Sequence, residues 1–354
     1  MSSIVPKTKK HLSFLKSMSE GHQITASDIQ NYKRFDHSDA TADAEWKFAP
    51  VLVASNRERI DIVHHKTLLF AHHHSTCVFR WQTDVARWQN KPALTNEQHD
   101  LQDRDPSFWQ QFVAGASGFL TTNLNTNLGL ANGTPIVLHS LTFATDEQLQ
   151  HVRSQIRSLP PGSTITLDEP PLSVNVEIPS TFDTKRKPSF RRQAQLAILK
   201  QHSLSKDAII IPLPVMKSRC KFHSFAVNSL TGIGKVKAKD LFPYELAFAM
   251  TVHKAQGRTI PKVVLALAHR DNANIQMKYA SIYVALSRVK LASDLRILTH
   301  DSGPRPGDLG LKYITHLKHC VHVLDYYAGF DKQTQGGIWN PQASLAAKRL
   351  RSTR

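Results

Sequence analysis

The chain has 354 residues, which is long enough for a sizeable core and for one to three domains. A net charge of +17 and a pI of about 9.8 favour polyanionic partners, nucleic acid first, although a basic surface that is only solvated is an equal alternative. Three widely spaced cysteines argue against a disulfide scaffold, and the lack of any long apolar run argues against a membrane partner.

The first 45 residues are polar and weakly patterned, and they are predicted to form a flexible lead-in with one short helix from Ile24 to Tyr32. The apolar run from Ala49 to Ala54 predicts a buried strand. The pair Ser55-Asn56 is a good N-cap for a helix that follows over 57–69. A strand followed by a helix favours an open α/β sheet.

Short β-like runs separated by prolines fill the middle of the chain, and Asn132-Gly133 predicts a turn between two of them. From Leu246 to Leu298 the pattern is strand, motif, strand, helix and strand. We therefore predict an α/β domain made of residues 46–118 and 241–300, interrupted by a β-rich insert over 119–240 and followed by a basic C-terminal tail over 301–354. The predicted strands of the insert are 119–122, 136–138, 164–167, 174–178 and 208–211.

Seven residues, Thr251-Val252-His253-Lys254-Ala255-Gln256-Gly257, follow an apolar run that ends at Met250. Turns at the strand ends of an α/β sheet present side chains and amides to ligands. Thr251 offers a hydroxyl, and His253 and Lys254 can contact a nucleic-acid backbone. Gln256 can hydrogen-bond to a ligand, and Gly257 permits a tight turn without a Cβ clash. The alternative for this pattern is an ordinary strand-to-helix turn.

A second segment, Ile282 to Val289, predicts an apolar helix with one prominent cation, Arg288. An arginine stays charged at physiological pH, and its planar fork of donors suits a phosphate. A surface salt bridge is the alternative for a helix arginine, and on its own this residue favours that alternative.

Together, Thr251–Gly257 and Tyr283–Arg288 resemble motifs V and VI of superfamily-1 DNA helicases, most closely those of the Pif-like and RecD-like branch. Ser55–Arg59 resembles motif IV of the same helicases, where an arginine approaches the nucleotide; Arg57 is the first candidate and Arg59 the second. The run Gly129–Thr134 is similar to a hairpin that opens the inserted β-domain of Pif-like and Helitron helicases, where its role is structural and DNA-guiding.

The resemblance implies a RecA-like second motor domain, of the P-loop NTPase type, with an inserted small β-rich domain. It implies ATP-driven stepping along single-stranded DNA in the 5′-to-3′ direction, with an arginine finger reaching the γ-phosphate. The implied residues are Thr251, His253 and Lys254 for DNA binding, Gln256, Gly257 and Arg288 for nucleotide binding, and Arg288 and Arg57 for catalysis.

No Gly-x-x-x-x-Gly-Lys-Ser/Thr sequence occurs in the chain. We therefore expect ATP and Mg²⁺ both to need an N-terminal helicase lobe, supplied in cis or in trans, and we expect no metal site within the chain. The chain alone is expected to be inactive as an ATPase. The alternative is a non-enzymatic nucleic-acid-binding remnant of a helicase.

Several other segments resemble functional motifs. Ile165–Glu169 looks like a Walker B strand but follows motif IV, so it is interpreted as an insert strand, and Gly232–Lys235 is interpreted as a turn. Five histidines between 64 and 74 predict a solvated helix end, not a metal site. The basic run Lys185–Arg192 predicts a phosphate-binding segment, a nuclear localisation signal or a solvated loop. The predicted location is the nucleus, with the mitochondrion as the alternative because of the N-terminal lysines.

Overall fold

The structure, a computed structural model, describes residues 4–41, 44–86, 103–179, 189–216, 224–225, 236–239, 241–267, 276–299, 311–329 and 339–352. The chain divides into two compact units, one made of Met1–Asn56 with Met250–Arg354, and the other of Arg57–Ala249. This differs from the predicted boundaries, because residues 57–118 and 241–249 lie with the insert. The cause is strand pairing, since each of these two segments contributes a strand to a sheet that also contains strands of the insert.

A five-stranded sheet forms the core of the first unit. Its strands lie in the order β1 (Lys33–Arg34), β16 (Leu295–Leu298), β15 (Val263–Ala266), β2 (Val51–Val53) and β14 (Ala249–Thr251). The pairings β1 with β16, β16 with β15, and β15 with β2 are all parallel. Parallel sheets are covered on both faces, and the strands accordingly read as continuous apolar runs: all residues of β2 and β15 are buried. The predicted α/β class is confirmed.

Helices of the first unit connect or flank this sheet. They are α1 (Ile4–Ser19), α2 (Ala26–Gln30), α3 (His37–Thr41), α4 (Ala44–Lys47), α8 (Val252–Ala255), α9 (Tyr279–Leu286), α10 (Lys312–Thr315), α11 (Val321–Ala328) and α12 (Pro341–Ser352). The predicted basic tail therefore contains three helices. No helix among the described residues is long and apolar enough to cross a membrane.

The segment predicted as a flexible lead-in is instead built into the first unit. Its strand β1 adds an edge to the parallel sheet, and α2 begins at a capping box between Thr25 and Asp28. The hydroxyl of Tyr279, in α9, lies 2.9 Å from the carbonyl oxygen of Met18 and 2.6 Å from that of His22. Because Met18 is buried as well, helix α1 is anchored to helix α9 by both apolar packing and a hydrogen bond.

His11 makes the stability of this anchor depend on pH. Its buried ring places Nδ1 2.8 Å from the hydroxyl of Tyr32, and desolvation by burial lowers the pKa of His11 below 6.5, with the Val289 carbonyl and Asp294 opposing the shift. When the folded pKa is depressed, the unfolded chain binds the proton more readily, so stability is present above the unfolded pKa and is lost as pH falls below 6.5.

We therefore expect the free energy of unfolding, measured by urea titration, to decrease between about pH 7.5 and about pH 5. His11→Gln should flatten part of this decrease. It should not flatten all of it, because burial also lowers the pKa of His64 in the second unit. An unchanged pH dependence in His11→Gln would contradict a neutral, buried His11.

The second unit starts with the long helix α5 (Asn56–His73), which follows β2 as predicted. The unit contains a three-stranded sheet whose strands lie in the order β5 (Trp109–Val113), β3 (Val78–Gln82) and β8 (Thr164–Leu167). β8 pairs parallel with β3. The Walker B look-alike is thus a strand, as interpreted, but it does not belong to the main sheet of the insert.

That main sheet is antiparallel in every pairing. Its order is β10 (Ile210–Pro214), β9 (Ser173–Glu177), β7 (Pro135–Thr142), β6 (Ser117–Leu120) and β13 (Tyr244–Leu246). A further three-stranded sheet contains β11 (Ser224–Phe225), β12 (Val236–Lys239) and β4 (Asp84–Ala86). The β-rich insert also carries two helices that the sequence analysis did not predict, α6 (Asp146–Ser158) and α7 (Phe190–Gln201).

Candidate functional site

The Thr251–Gly257 segment begins where strand β14 ends. Thr251 is the buried last residue of the strand and the N-cap residue of the one-turn helix α8, although its hydroxyl makes no capping hydrogen bond. Within α8, Val252 and Ala255 are buried, whereas His253 and Lys254 are exposed. The apolar positions therefore fix the turn to the sheet, and the two basic side chains are left on its solvent side.

Gln256 and Gly257 end this turn, and both are exposed. Gly257 has a φ of +78°, a left-handed conformation that side chains with a Cβ adopt with strain. A Cβ added at Gly257 would meet nothing within 4 Å. The left-handed turn agrees with the prediction, because glycine has no Cβ to crowd its own backbone in this conformation.

Arg288 lies just beyond the end of α9, half-buried, with its guanidinium turned onto its own chain. Nε donates to the Val284 carbonyl at 2.8 Å, one terminal nitrogen donates to the Arg258 carbonyl at 3.1 Å, and the other donates to Ser287 Oγ at 2.7 Å. In the reverse direction, the N–H of Ile260 donates to the Arg288 carbonyl at 2.9 Å. The arginine thus fastens the end of α9 to the chain that follows Gly257.

Desolvation lowers the pKa of Arg288 from its ordinary value, and a nearby Tyr283 opposes the shift. The group stays charged at physiological pH because the pKa of an arginine starts so high. Of the five N–H donors of a guanidinium, three are used in these contacts, and the other two make no hydrogen bond to a residue that the structure describes.

Arg57 lies at the start of α5, in the second unit, whereas Thr251–Gly257 and Arg288 belong to the first unit. Its side chain is exposed and forms ion pairs with Asp61 at 3.1 Å and Asp105 at 2.7 Å. Arg59, the second candidate, pairs with Glu245 at 3.7 Å. Both arginines therefore have carboxylate partners within the second unit.

Residues 177–296 match the viral superfamily 1 RNA helicase core domain, and this range contains Thr251–Gly257 and Arg288. The chain is also 30% identical over 103 residues to the ATP-dependent DNA helicase Pif1 of Campylobacter jejuni, an alignment that covers 29% of this chain and 20% of that protein. The chain carries a Pif-like superfamily-1 helicase region.

Solved structures give similar likenesses at low identity. The Pif1 helicase of Candida albicans aligns with 90% of this chain and 57% of its own, at 13% identity and a TM-score of 0.45. Unliganded Pif1 from Bacteroides sp aligns with 94% and 56%, at 12% identity and a TM-score of 0.41. Bacteroides Pif1 in complex with ADP-AlF3 and ssDNA aligns with 90% and 53%, at 14% identity and a TM-score of 0.43. The chain spans about half the length of these solved relatives.

The RecA-like assignment of the helicase region rests on two observations. These are the parallel sheet of the first unit and the family match over 177–296. Both agree with the order in which strand, Thr251–Gly257, strand, helix and strand follow one another along the chain.

The hairpin-like run Gly129–Thr134 is held by contacts that the sequence did not reveal. Gly129 has a φ of +74°, and a Cβ there would lie 2.8 Å from side-chain atoms of both Arg192 and Gln195 in α7. Gln195 also donates to the Asn127 carbonyl at 2.9 Å. The positive φ favours glycine at this position, and a larger residue would also have to displace the ends of the Arg192 and Gln195 side chains. The DNA-guiding role stays a prediction.

The resemblance implies two ligands, ATP and Mg²⁺. The two remaining N–H groups of Arg288 and the exposed Gln256 are chemically suited to phosphate oxygens. Among the described residues, no group of three or more His, Cys, Asp or Glu side chains could hold a metal ion. Two patterns from the sequence, Gly232–Lys235 and 185–188 of the basic run, lie outside the described residues.

Proposed function

We propose that this chain is the C-terminal motor half of an ATP-dependent DNA helicase. In this proposal it grips single-stranded DNA through Thr251, His253 and Lys254, and it supplies Arg288 to ATP held by a separate N-terminal lobe. The observation that carries the proposal is the pair of exposed basic side chains on α8, placed at the end of a buried strand inside the region that matches superfamily-1 helicases.

The geometry of α8 suits a grip that ignores base identity. A translocating enzyme must contact the phosphate backbone, because contacts to base edges would tie it to one sequence. His253 and Lys254 are adjacent exposed side chains on a short turn, and both can donate hydrogen bonds to phosphate oxygens. The choice of DNA as the substrate and the 5′-to-3′ direction rest on the Pif-like resemblance and on the name of the Campylobacter relative.

Arg288 is the proposed link to ATP hydrolysis. A cation near the γ-phosphate stabilises negative charge that develops during phosphoryl transfer, and that stabilisation acts in the transition state. Its contact with the Arg258 carbonyl joins α9 to the same turn that ends the DNA-gripping segment. A shift of Arg288 toward phosphate would therefore also be felt at Thr251–Gly257. The proposed catalytic role of Arg57 needs its ion pairs with Asp61 and Asp105 to open.

The proposal predicts weak binding of the pure chain to single-stranded DNA, with little sequence preference and strong dependence on salt. The logarithm of the binding constant should fall with the logarithm of salt concentration at about −0.7 per phosphate contact. His253→Ala and Lys254→Ala should each weaken binding to every sequence alike, and Lys254→Ala should reduce the slope by about 0.7. Fluorescence anisotropy with labelled oligonucleotides measures both quantities.

Lys206→Ala is the matched control, since Lys206 is an exposed lysine of the second unit next to Asp207. It should leave both affinity and slope close to those of the unchanged chain. Equal losses in Lys206→Ala and Lys254→Ala would mean that net charge alone drives binding. An affinity that does not change with salt would contradict a phosphate grip.

A second candidate function is a non-enzymatic nucleic-acid-binding protein. The inward orientation of the Arg288 guanidinium favours it, because three of its donors already serve the chain. Both candidates predict the same DNA contacts, so only turnover in the presence of an N-terminal lobe separates them. A nuclear location stays a prediction in either case.

A further inference from the structure

The helices α11 and α12 pack together as a closed hairpin downstream of the helicase region. Ser344 Oγ donates to the Asp325 carbonyl at 2.6 Å, and the N–H of Asn340 donates to the Gly329 carbonyl at 2.5 Å. A Cβ on Gly329 would lie 2.6 Å from the indole nitrogen of Trp339, so the two helices meet at close range. These contacts hold the end of α11 against the start of α12.

Two aromatic rings are stacked on the outside of this junction. The ring centroids of Tyr326 and Trp339 are 5.7 Å apart with an angle of 30° between the planes, and the residues are 51% and 41% exposed. The indole N–H of Trp339 donates to the Tyr326 carbonyl at 3.2 Å. Because this bond satisfies the polar end of the indole, the part of Trp339 that faces solvent is its ring, which suits stacking.

The helix that follows Trp339 carries exposed positive charge. The sequence of α12 contains no acid, and Lys348 and Arg349 are exposed on it. The one acid of α11, Asp325, is 5% exposed. Ala343, Ser344 and Ala347 are the less exposed positions of α12; Arg349 lies on the opposite side of the helix, and Lys348 lies at the flank of that face. Eight residues separate Pro341 from Arg349, which is about 12 Å along the helix axis.

We propose that Tyr326, Trp339, Lys348 and Arg349, the aromatic–basic patch, form a second contact site for single-stranded DNA. A base stacks on the aromatic pair, and the following phosphates reach the two cations on α12. Base stacking on aromatic rings combined with a basic track is how proteins hold single strands without sequence preference. The inference takes only its ligand class from the proposed function, and it concerns residues outside Thr251–Gly257 and outside the matched region 177–296.

A protein partner is the other occupant that exposed apolar residues such as Leu345 and Leu350 would fit. The charge argues for DNA instead. The centre of a protein interface is depleted of charged residues, whereas here α12 carries two exposed cations and neither helix carries an exposed acid. A single DNA strand has phosphates for the two cations and bases for the two rings, so it accounts for both features.

The test is single-stranded DNA affinity of the full chain, measured by anisotropy with a labelled oligothymidine of about 16 nucleotides. Trp339→Ala should weaken binding by about 5- to 100-fold, whereas Trp339→Phe and Tyr326→Phe should stay close to the unchanged chain because they keep a ring. The double variant Lys348→Gln with Arg349→Gln should reduce the salt slope by about 1.4. Leu345→Ala should have no effect on DNA affinity, and Leu172→Ala, an exposed leucine of the second unit, serves as an outside control.

Circular dichroism identifies any variant that fails to fold, and the Lys348→Gln/Arg349→Gln variant carries the test in that case because both side chains are exposed. Normal affinity and normal salt slope in this variant overturn the proposal, as does normal affinity in a folded Trp339→Ala. If His253→Ala and Lys254→Ala bind normally while the patch variants do not, the patch stands and the proposed motor grip fails. The opposite pattern overturns the patch alone.

Discussion

Asp39→Ala is expected to lower the free energy of unfolding by about 3–5 kcal/mol, because it leaves a largely buried arginine without its carboxylate. Asp39 is only 4% exposed, in the short helix α3. Its two carboxylate oxygens lie 3.3 and 3.4 Å from Nε of Arg296, and Lys33 Nζ lies 3.2 Å from one of them. It also accepts the backbone N–H of Asp36, so one side chain serves several donors.

Arg296 explains why the expected loss is large. It lies on β16, its side chain is 12% exposed, and its guanidinium stacks 3.9 Å from the centre of the Trp46 ring. A charge in this position cannot recover full hydration when its partner is removed. The pair joins the N-terminal segment to the parallel sheet, so its loss should loosen β1 and β16 together.

Urea unfolding measures the effect, and hydrogen exchange of the β16 amides shows where it acts. Lys33→Met is the matched control: Lys33 contacts the same carboxylate but is half exposed, so its loss should cost at most about 1 kcal/mol. Asp39→Asn, which keeps the shape and some hydrogen bonds, should fall between the two. A loss in Asp39→Ala no larger than in Lys33→Met would show that Arg296 is solvated when unpaired.

The elements that the sequence predicted well are those with strong local signals. β2, α5 and the run from β14 through α8 combine a continuous apolar strand with an N-cap or a glycine, and each signal lies within a few residues of the element that it defines. The same logic was available for α6 and was missed. Thr145 accepts the N–H of Gln148, and this Thr-x-x-Gln spacing is a capping signature that the β-rich interpretation of the insert overlooked.

The N-terminal segment could not be predicted in this way, because contacts distant in sequence hold it. Tyr279 reaches the carbonyls of Met18 and His22, and β1 finds its partner strand near the other end of the chain. A two-residue strand has no periodicity to detect. Likewise the motif containing Arg288 was visible in sequence, but its bond to the Arg258 carbonyl was not. The sequence predicted the basic residues of the aromatic–basic patch as part of a basic tail, but it did not predict that Tyr326 and Trp339 stack.

Arg288→Ala is expected to reduce the turnover of a reconstituted motor by about 10³- to 10⁵-fold, the range that an arginine finger supplies. The reconstitution combines this chain with the N-terminal, Walker-bearing lobe of a Pif-like helicase, in trans or as a fusion. The guanidinium would stabilise charge in the transition state only, so affinity for single-stranded DNA without nucleotide should change little. The two quantities to compare are kcat with DNA and the nucleotide-free DNA affinity.

The structure also predicts a complication and the variants that resolve it. Removing Arg288 breaks three hydrogen bonds, including the one that ties α9 to the Arg258 carbonyl just after the Thr251–Gly257 turn. Ser287→Ala removes one of these contacts and keeps the charge, so it should retain most of the turnover. Arg288→Gln can still donate to a carbonyl but carries no charge, and it should be nearly as inactive as alanine. Arg288→Lys keeps a charge without the planar fork and should recover little.

These variants separate an arginine that acts on the nucleotide from one that only fastens helix α9. If fastening were its whole role, Arg288→Gln would retain activity and every loss of turnover would be matched by a loss of DNA affinity. If Arg288 contacted DNA, turnover would survive at saturating DNA while nucleotide-free affinity collapsed. A finger role requires that charge and planarity, and not hydrogen bonding to Val284 or Arg258, determine kcat. It also requires the guanidinium to leave its present contacts when phosphate is bound. Each of the three hydrogen bonds that break then costs about 0.5–1.5 kcal/mol, which the new contacts with phosphate must offset.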